Sequence, residues 1–277
     1  MSEGTSPAVR LTAEGEVLRA TIDRPSARNA IDLRVLAGLE EMVETARDET
    51  VKVVVLRGAD GTFCSGADLE LLRSWREDTA ALRSFMSRLG GVLEELEQAP
   101  WVNLAVIEGH AVAGGCELLL ACDVVVASTE AWIGDRHTEY GLAPAAGGSV
   151  RLTRAVPPLF ARYLLLSGEM ISGSEAAEKG LATFAVAPAE LDREVDRIVE
   201  RLRGRGGATL ATVKTMLAGE RAAELSPRLR HELDLFVSHL ETAADARIGL
   251  DAFRDRVKPN FAAADALDKS RIPRDTS

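Results

Sequence analysis

The sequence is short of cysteine. Cys64, Cys116 and Cys122 are the only three in 277 residues. They are odd in number and irregular in spacing, with no Cys-x-x-Cys pair and no Cys/His set at zinc spacing. That excludes a disulfide framework and a structural zinc centre, and a chain this long can bury enough core to need neither. The simplest expectation is reduced thiols in a cytoplasmic protein, with Cys116 and Cys122 as small core residues on one helix. Positive charge is also scarce: 33 Lys and Arg stand against 43 Asp and Glu, a formal net charge of -10. This argues against a general nucleic-acid binder, and an anionic ligand would need a local basic patch. No run approaches the ~20 apolar residues of a membrane span. The apolar stretch around 118–127 is short and contains Asp123. The opening residues have neither the basic flank nor the apolar run of a secretory signal. Neither GxxxxGK[ST] nor GxGxxG occurs, and there is no repeat or low-complexity tract.

What is present is the balance of a soluble globular protein, 46% hydrophobic and 27% charged. Residues 7–23 alternate as two short strands about the turn Glu14-Gly15-Glu16. Leu33, Leu36, Leu39, Val43 and Ala46 recur at helical spacing within 32–48. Val51 to Arg57, Trp101 to Glu108 and Val124 to Ala127 read as buried strands. Helices are predicted from Leu69, over 79–98 with a stop at Pro100, and over 116–122. The order is α/β with crossover helices. From Ala155 the pattern becomes helical, over 157–168, 174–179, 190–204, 207–220 and 226–256. The predicted organisation is a core over 1–200, a helical region over 201–262 and a frayed tail over 263–277.

Two glycine-containing loops each follow a strand and precede a helix: Thr62-Phe63-Cys64-Ser65-Gly66-Ala67-Asp68-Leu69, and Gly109 to Leu118. A helix start offers free N–H groups and a positive dipole end, and two N–H groups aimed at one point can hold a developing oxyanion. Either loop alone is weak, since a tight turn explains it equally well. Together with their flanks they closely resemble the enoyl-CoA hydratase/isomerase (crotonase) family. The resemblance rests on Ser65-Gly66-Ala67-Asp68, Glu108-Gly109-His110-Ala111, Gly114-Gly115-Cys116-Glu117, Cys122-Asp123, Gly141-Leu142-Ala143-Pro144, Gly147-Gly148-Ser149 and Glu175 to Leu181. Order and spacing match over roughly residues 8–261.

The resemblance implies a crotonase-like spiral of ββα repeats with a helical C-terminal region. It also implies trimers or dimers of trimers, and an acyl-CoA substrate in which coenzyme A is part of the thioester rather than a bound cofactor. No permanent cofactor, metal, nucleic acid or membrane is expected. The main-chain N–H groups of Ala67 and Gly114 fall on the family's oxyanion hole, and Glu117 on its first catalytic glutamate. The plainer reading of Glu117 is a surface residue in a first helical turn, but its Gly-Gly-Cys flank and apolar sequel argue for burial.

The family's second glutamate falls four residues before Gly141, which is His137 here. Imidazole can do acid/base work near neutral pH. Glu139 or Asp135 could take the role if the loop is shifted. The camphor-dione hydrolase branch has histidine at this place and pairs it with an aspartate nine residues on, where this chain has Ala146. Ala27, Arg28, Ala67, Asp68 and Gly114 resemble coenzyme-A-contacting positions, and Phe253 and Arg256 the aromatic and cation at the adenine–phosphate end. A solvated helix face explains the last two equally well. His110, His231 and His239 show no matching partners. The expected reaction is hydration of a 2-enoyl-CoA or its reverse, as in fatty acid metabolism. Double-bond isomerisation and C–C bond hydrolysis are alternatives, and non-catalytic acyl-CoA binding is a third.

Overall fold

The computed structural model describes residues 7–48 and 50–261, without the side chains of 218–225. The predicted tail over 263–277 lies outside the described residues.

Two sheets carry the fold. The larger holds β1 (Val9–Glu14), β2 (Val17–Ile22), β3 (Val53–Gly58), β5 (Val102–Ile107), β7 (Val124–Ser128) and β10 (Phe184–Val186), in that spatial order. β1 and β2 form an antiparallel hairpin, and every later pairing is parallel. Parallel strands covered on both faces need apolar side chains on both, hence the runs Val53-Val54-Val55-Leu56 and Val124-Val125-Val126. One face buries Val53, Val55, Leu104 and Val106 under α8 (Leu191–Arg203). The other buries Val54 and Leu56 against α1 (Leu33–Ala46), α3 (Thr79–Gln98) and α4 (Gly114–Leu120).

The smaller sheet holds β4 (Thr62–Cys64), β6 (His110–Val112), β8 (Trp132–Gly134) and β9 (Ile171–Ser172). Each long strand β3, β5 and β7 is followed by one short strand of this second sheet: β3 by β4, β5 by β6 and β7 by β8. β4, β6 and β8 run parallel, so their ends point the same way. After β4 the chain enters α2 (Leu69–Ser74), after β6 it enters α4, and after β8 it makes a 3-10 turn over His137–Tyr140. These are the expected ββα units.

Several expectations need correction. The loops expected over 62–69 and 109–118 contain the strands β4 and β6, whose three residues each carry no periodicity. The chain after Ala155, where α5 (Gly148–Ala155) ends, is not wholly helical, since β9 separates α6 (Pro158–Ser167) from α7 (Gly173–Lys179) and β10 separates α7 from α8. The helices predicted over 207–220 and 226–256 are instead α9 (Gly207–Thr242), with Pro227 inside it, and α10 (Ala244–Asp255). Proline is unfavourable inside a helix, yet the break falls at Ala243, which is extended at φ -79° and ψ 132°. Cys122 lies beyond the end of α4 while Cys116 is within it; both are free thiols, and burial raises both. Phe236, Val237, Leu240 and Leu250 join the main core, so α9 and α10 share its interior.

Candidate active site

The three short parallel strands deliver three segments to one cleft. After β4 comes Ser65-Gly66-Ala67; after β6 comes Ala113-Gly114; after β8 comes Asp135-Arg136-His137. All three line one cleft.

The first two segments touch. A Cβ on Gly114 would lie 3.2 Å from the Ala67 nitrogen, and one on Gly66 would lie 2.9 Å from the Gly114 nitrogen. Gly66 also has φ +92°, which disfavours any side chain. Neither the Ala67 nor the Gly114 N–H has a hydrogen-bond acceptor among the described residues. Ala113, just before Gly114, has φ 50° and ψ -117°, a strained conformation for a residue with a Cβ. Its N–H donates to the Gly134 carbonyl at 3.0 Å, tying the second segment to the third strand. Two adjacent, unpaired N–H groups facing a cleft can receive an oxygen that gains negative charge.

Glu117 lies one turn into α4 and is 2% exposed, so the surface reading of it fails. Its Oε1 accepts from the Ala146 N–H at 2.9 Å and the Gly148 N–H at 2.8 Å. Gly148 opens α5, whose positive end favours a carboxylate. Burial nevertheless raises the Glu117 carboxyl to about 7. The His137 charge opposes that rise, while Glu232 and Asp135 add to it.

His137 lines the same cleft. Its Nδ1 lies 2.9 Å from Asp135 Oδ1, leaving Nε2 for the cleft. Burial works against the imidazolium, but the charge and hydrogen bond of Asp135, with Glu117 and Glu232 beyond, outweigh it and raise His137 to about 9. The alternatives for this place are thereby sorted. Glu139 closes on the Arg136 guanidinium, which lowers its carboxyl below the usual range. Asp135 is 1% exposed and bonded to His137. Ala146, where an aspartate was sought, supplies an N–H to Glu117 instead.

The positions expected to meet coenzyme A are less gathered. Ala27 and Arg28 follow Pro25 in a tight turn, and their carbonyls take the Ser65 hydroxyl and N–H. Arg28 is exposed beside the first segment. The Asp68 carboxylate is committed within the chain: it caps α2 through the Glu70 and Leu71 N–H groups and pairs with Arg24 at 2.6 Å. Phe253 is 39% exposed at the end of α10, edge-on to Tyr140 of the cleft with centroids 5.7 Å apart. Arg256, two residues past Arg254, is exposed.

Sequence reasoning missed three groups. Asn29, fully buried, donates to the Ala59 and Thr62 carbonyls and pins the Arg24–Ile31 loop to β4. Glu232 of α9, buried, accepts from the Gly147 and Ser149 N–H groups and caps α5. His239 of α9 bonds the Gly141 carbonyl at 2.6 Å, so it has a partner after all. Glu232 and His239 lie 83 or more residues away in sequence from what they hold, and spacing gives no signal over such distances. Among the described residues no cluster of His, Cys, Asp or Glu could hold a metal ion.

The family model for enoyl-CoA hydratase/isomerase matches residues 12–264. Among curated relatives, the human mitochondrial enoyl-CoA hydratase domain-containing protein 2 is 34% identical, over 87% of this chain and 83% of the relative. The 2,3-dehydroadipyl-CoA hydratase of Escherichia coli is 31% identical, over 91% of this chain and 97% of its own length. Among solved structures, an enoyl-CoA hydratase from Mycobacterium avium subsp. paratuberculosis superposes with a TM-score of 0.82 at 30% identity, over 92% of this chain and 98% of that one.

Proposed function

The chain belongs to the enoyl-CoA hydratase/isomerase family, and from that premise we propose that it adds water across the double bond of a 2-enoyl-CoA thioester, or removes it in reverse. The observation that carries this is the pairing of a buried carboxylate, Glu117, with an imidazole, His137, in one cleft walled by the unpaired N–H groups of Ala67 and Gly114.

The thioester oxygen sits between those N–H groups. Glu117 takes a proton from water as the water oxygen bonds to C3. The double-bond electrons move onto the thioester oxygen, and the enolate is held by the two N–H groups. His137 Nε2–H then gives its proton to C2. Return of the Glu117 proton to His137 restores both groups. A double-bond isomerase moves one proton between carbons and uses no water, so two separate acid/base groups favour the hydratase.

The acyl pocket is apolar, walled by Leu72, Met86, Leu89, Leu142 and Phe236. Its cation, Arg136, is closed on Glu139. This supports a neutral aliphatic acyl group rather than one ending in a carboxylate. The exposure of Arg28, Phe253 and Arg256 supports a role for them in meeting the coenzyme A arm, together with main-chain contacts from Ala27, Ala67, Asp68 and Gly114. The reading includes self-association as a trimer or dimer of trimers, supported by exposed Val213, Met216 and Leu217 on α9. It also includes a cytoplasmic setting, which suits the buried free thiols, and a place in fatty acid metabolism.

The test is crotonyl-CoA with the purified protein, followed by the enoyl absorbance. A fall in absorbance, lost in Glu117→Gln and strongly reduced in His137→Ala, supports the reading. If crotonyl-CoA binds but neither it nor longer 2-enoyl-CoA substrates lose absorbance, hydration is wrong and 3-enoyl-CoA isomerisation or C–C cleavage becomes the activity to assay.

A further inference from the structure

We propose that Asp135 is a positioning residue for this site: its carboxylate fixes the His137 ring with Nδ1 turned inward and keeps it a charged proton donor to the cleft through Nε2. The inference deepens the hydratase reading and rests on it for its kinetic arm alone.

The geometry begins at the backbone. β8 ends at Gly134, and Asp135 is the first residue beyond it. Arg136 then takes a left-handed φ of 53°. This turns Asp135 and His137 toward each other. Asp135 Oδ1 accepts both the His137 main-chain N–H, at 3.4 Å, and the ring Nδ1, at 2.9 Å. One buried oxygen therefore holds both the backbone and the ring of the same residue. A carboxylate on Nδ1 selects the tautomer with the proton there and stabilises the imidazolium.

The other charges around His137 do not replace it. Glu117 of α4 is held by the Ala146 and Gly148 N–H groups. Glu232 of α9 is held by those of Gly147 and Ser149. Arg136 and Glu139 on its own loop close on each other. Glu117, Glu232 and Asp135 all favour the charged ring, but Asp135 is the one bonded to it. Its consequence is a site whose two acid/base groups carry opposite charges. Glu117 is then the base, and the second group is an acid at the same pH.

The test uses the full chain. The His137 imidazole is titrated by NMR in the wild type and in Asp135→Asn, with Asp135→Ser as the second variant should the first not fold. In parallel, kcat and kcat/KM on crotonyl-CoA are measured against pH for the wild type, Asp135→Asn, His137→Gln and the double variant. We expect the His137 midpoint to fall by about one to two pH units without the Asp135 charge. The alkaline limb of kcat/KM should move with it, with kcat about 10²-fold lower. On the His137→Gln background, removing Asp135 should change kcat by less than about twofold, because the two act as a unit. An unchanged midpoint in a folded Asp135 variant overturns the proposal. So does a kcat loss that adds in full to that of His137→Gln. The titration needs no substrate. A wild type that does not hydrate crotonyl-CoA would sink the hydratase reading, while the Asp135 role would stand or fall on the midpoint.

Discussion

The two sheets of this protein divide the labour between holding the fold and doing the chemistry. The six-stranded sheet is built of five- and six-residue strands with a three-residue edge at β10, and its interior is Val, Leu and Ile packed on both faces. The four-stranded sheet has strands of two or three residues. Yet the segments leaving β4, β6 and β8 supply the N–H groups, Glu117, Asp135 and His137. Two of the residues held at positive φ also belong to these segments. Ala113 and Arg136, both at positive φ, sit at the ends of β6 and β8. Strain at such places is sustained only when the surroundings over-determine it, and here the long strands supply that rigidity. Damage at the short strands should therefore fall on turnover, and damage at the long strands on stability.

The largest effect on turnover is expected from Glu117→Gln. It keeps the side-chain volume and an oxygen for the Ala146 and Gly148 N–H groups, but removes the base. We expect kcat to fall by about 10³–10⁴-fold, with a thermal midpoint equal to or above that of the wild type, because a buried, desolvated carboxyl is gone. A parallel loss of melting temperature and activity would show Glu117 to be structural, and the division drawn here would break.

Next comes Gly114→Ala. The new Cβ would sit 3.2 Å from both the Ala67 nitrogen and Gly66 Cα, tighter than ordinary packing. It should part the two N–H groups and lower kcat by about 10²-fold, the scale of losing one oxyanion donor. The affinity for a saturated acyl-CoA should change much less. Calorimetry of that ligand beside steady-state kinetics separates the two, and equal losses in both would count against an oxyanion role.

The pH profile comes third, at about tenfold per pH unit on each limb. Glu117 must be a carboxylate and His137 an imidazolium. With ordinary values, 4.5 and 6.5, that state would be found in weakly acidic solution. Here burial raises Glu117 to about 7, and the surrounding carboxylates raise His137 to about 9 against burial. Both edges of the window move alkaline together, so kcat/KM, which reports the free enzyme's groups, should rise through about pH 7 and fall through about pH 9. Stability follows the same groups. Each binds its proton more tightly folded than unfolded. The His137 contribution is thus full below pH 6.5 and lost as pH rises through about 9. That of Glu117 is full below pH 4.5 and lost through about 7. An optimum near pH 5–6 would contradict these environments.

The same division explains what the sequence disclosed. Val53–Leu56 and the Leu33–Ala46 stripe announce themselves by composition and period, and they are the large sheet and its cover. Gly66, Ala67, Gly114 and Glu117 were legible as a family pattern, and the cleft gathers them. His137 follows from the family's spacing before Gly141, but its carboxylate partner lies two residues back, at Asp135, and not nine residues on, where the hydrolase branch has an aspartate and this chain has Ala146. A pairing across one left-handed residue has no periodicity to betray it. Glu232 and His239 were invisible for a different reason: their targets lie across the fold, and only the packing of α9 brings them there. The continuity of α9 through Pro227 runs against local propensity, which tertiary context overrides.

The smallest effect on turnover is expected from Leu104→Ala, and it tests the other half of the comparison. Leu104 is fully buried in the central strand β5, on the α8 face, away from the cleft. Removing its side chain should cost about 2–5 kcal/mol of stability through lost transfer energy and the cavity left behind. Urea unfolding would read this as a lower midpoint at unchanged slope. The strand's backbone pairing with β3 and β7 does not depend on that side chain, so β6 should still leave its end in the same place. At a temperature where the variant is folded, kcat and the pH window should match the wild type. A fall in kcat of tenfold or more (about 1.4 kcal/mol) in fully folded protein would mean that packing under α8 reaches the N–H groups through β5 and β6. The two sheets would then be one mechanical unit rather than a frame and a site.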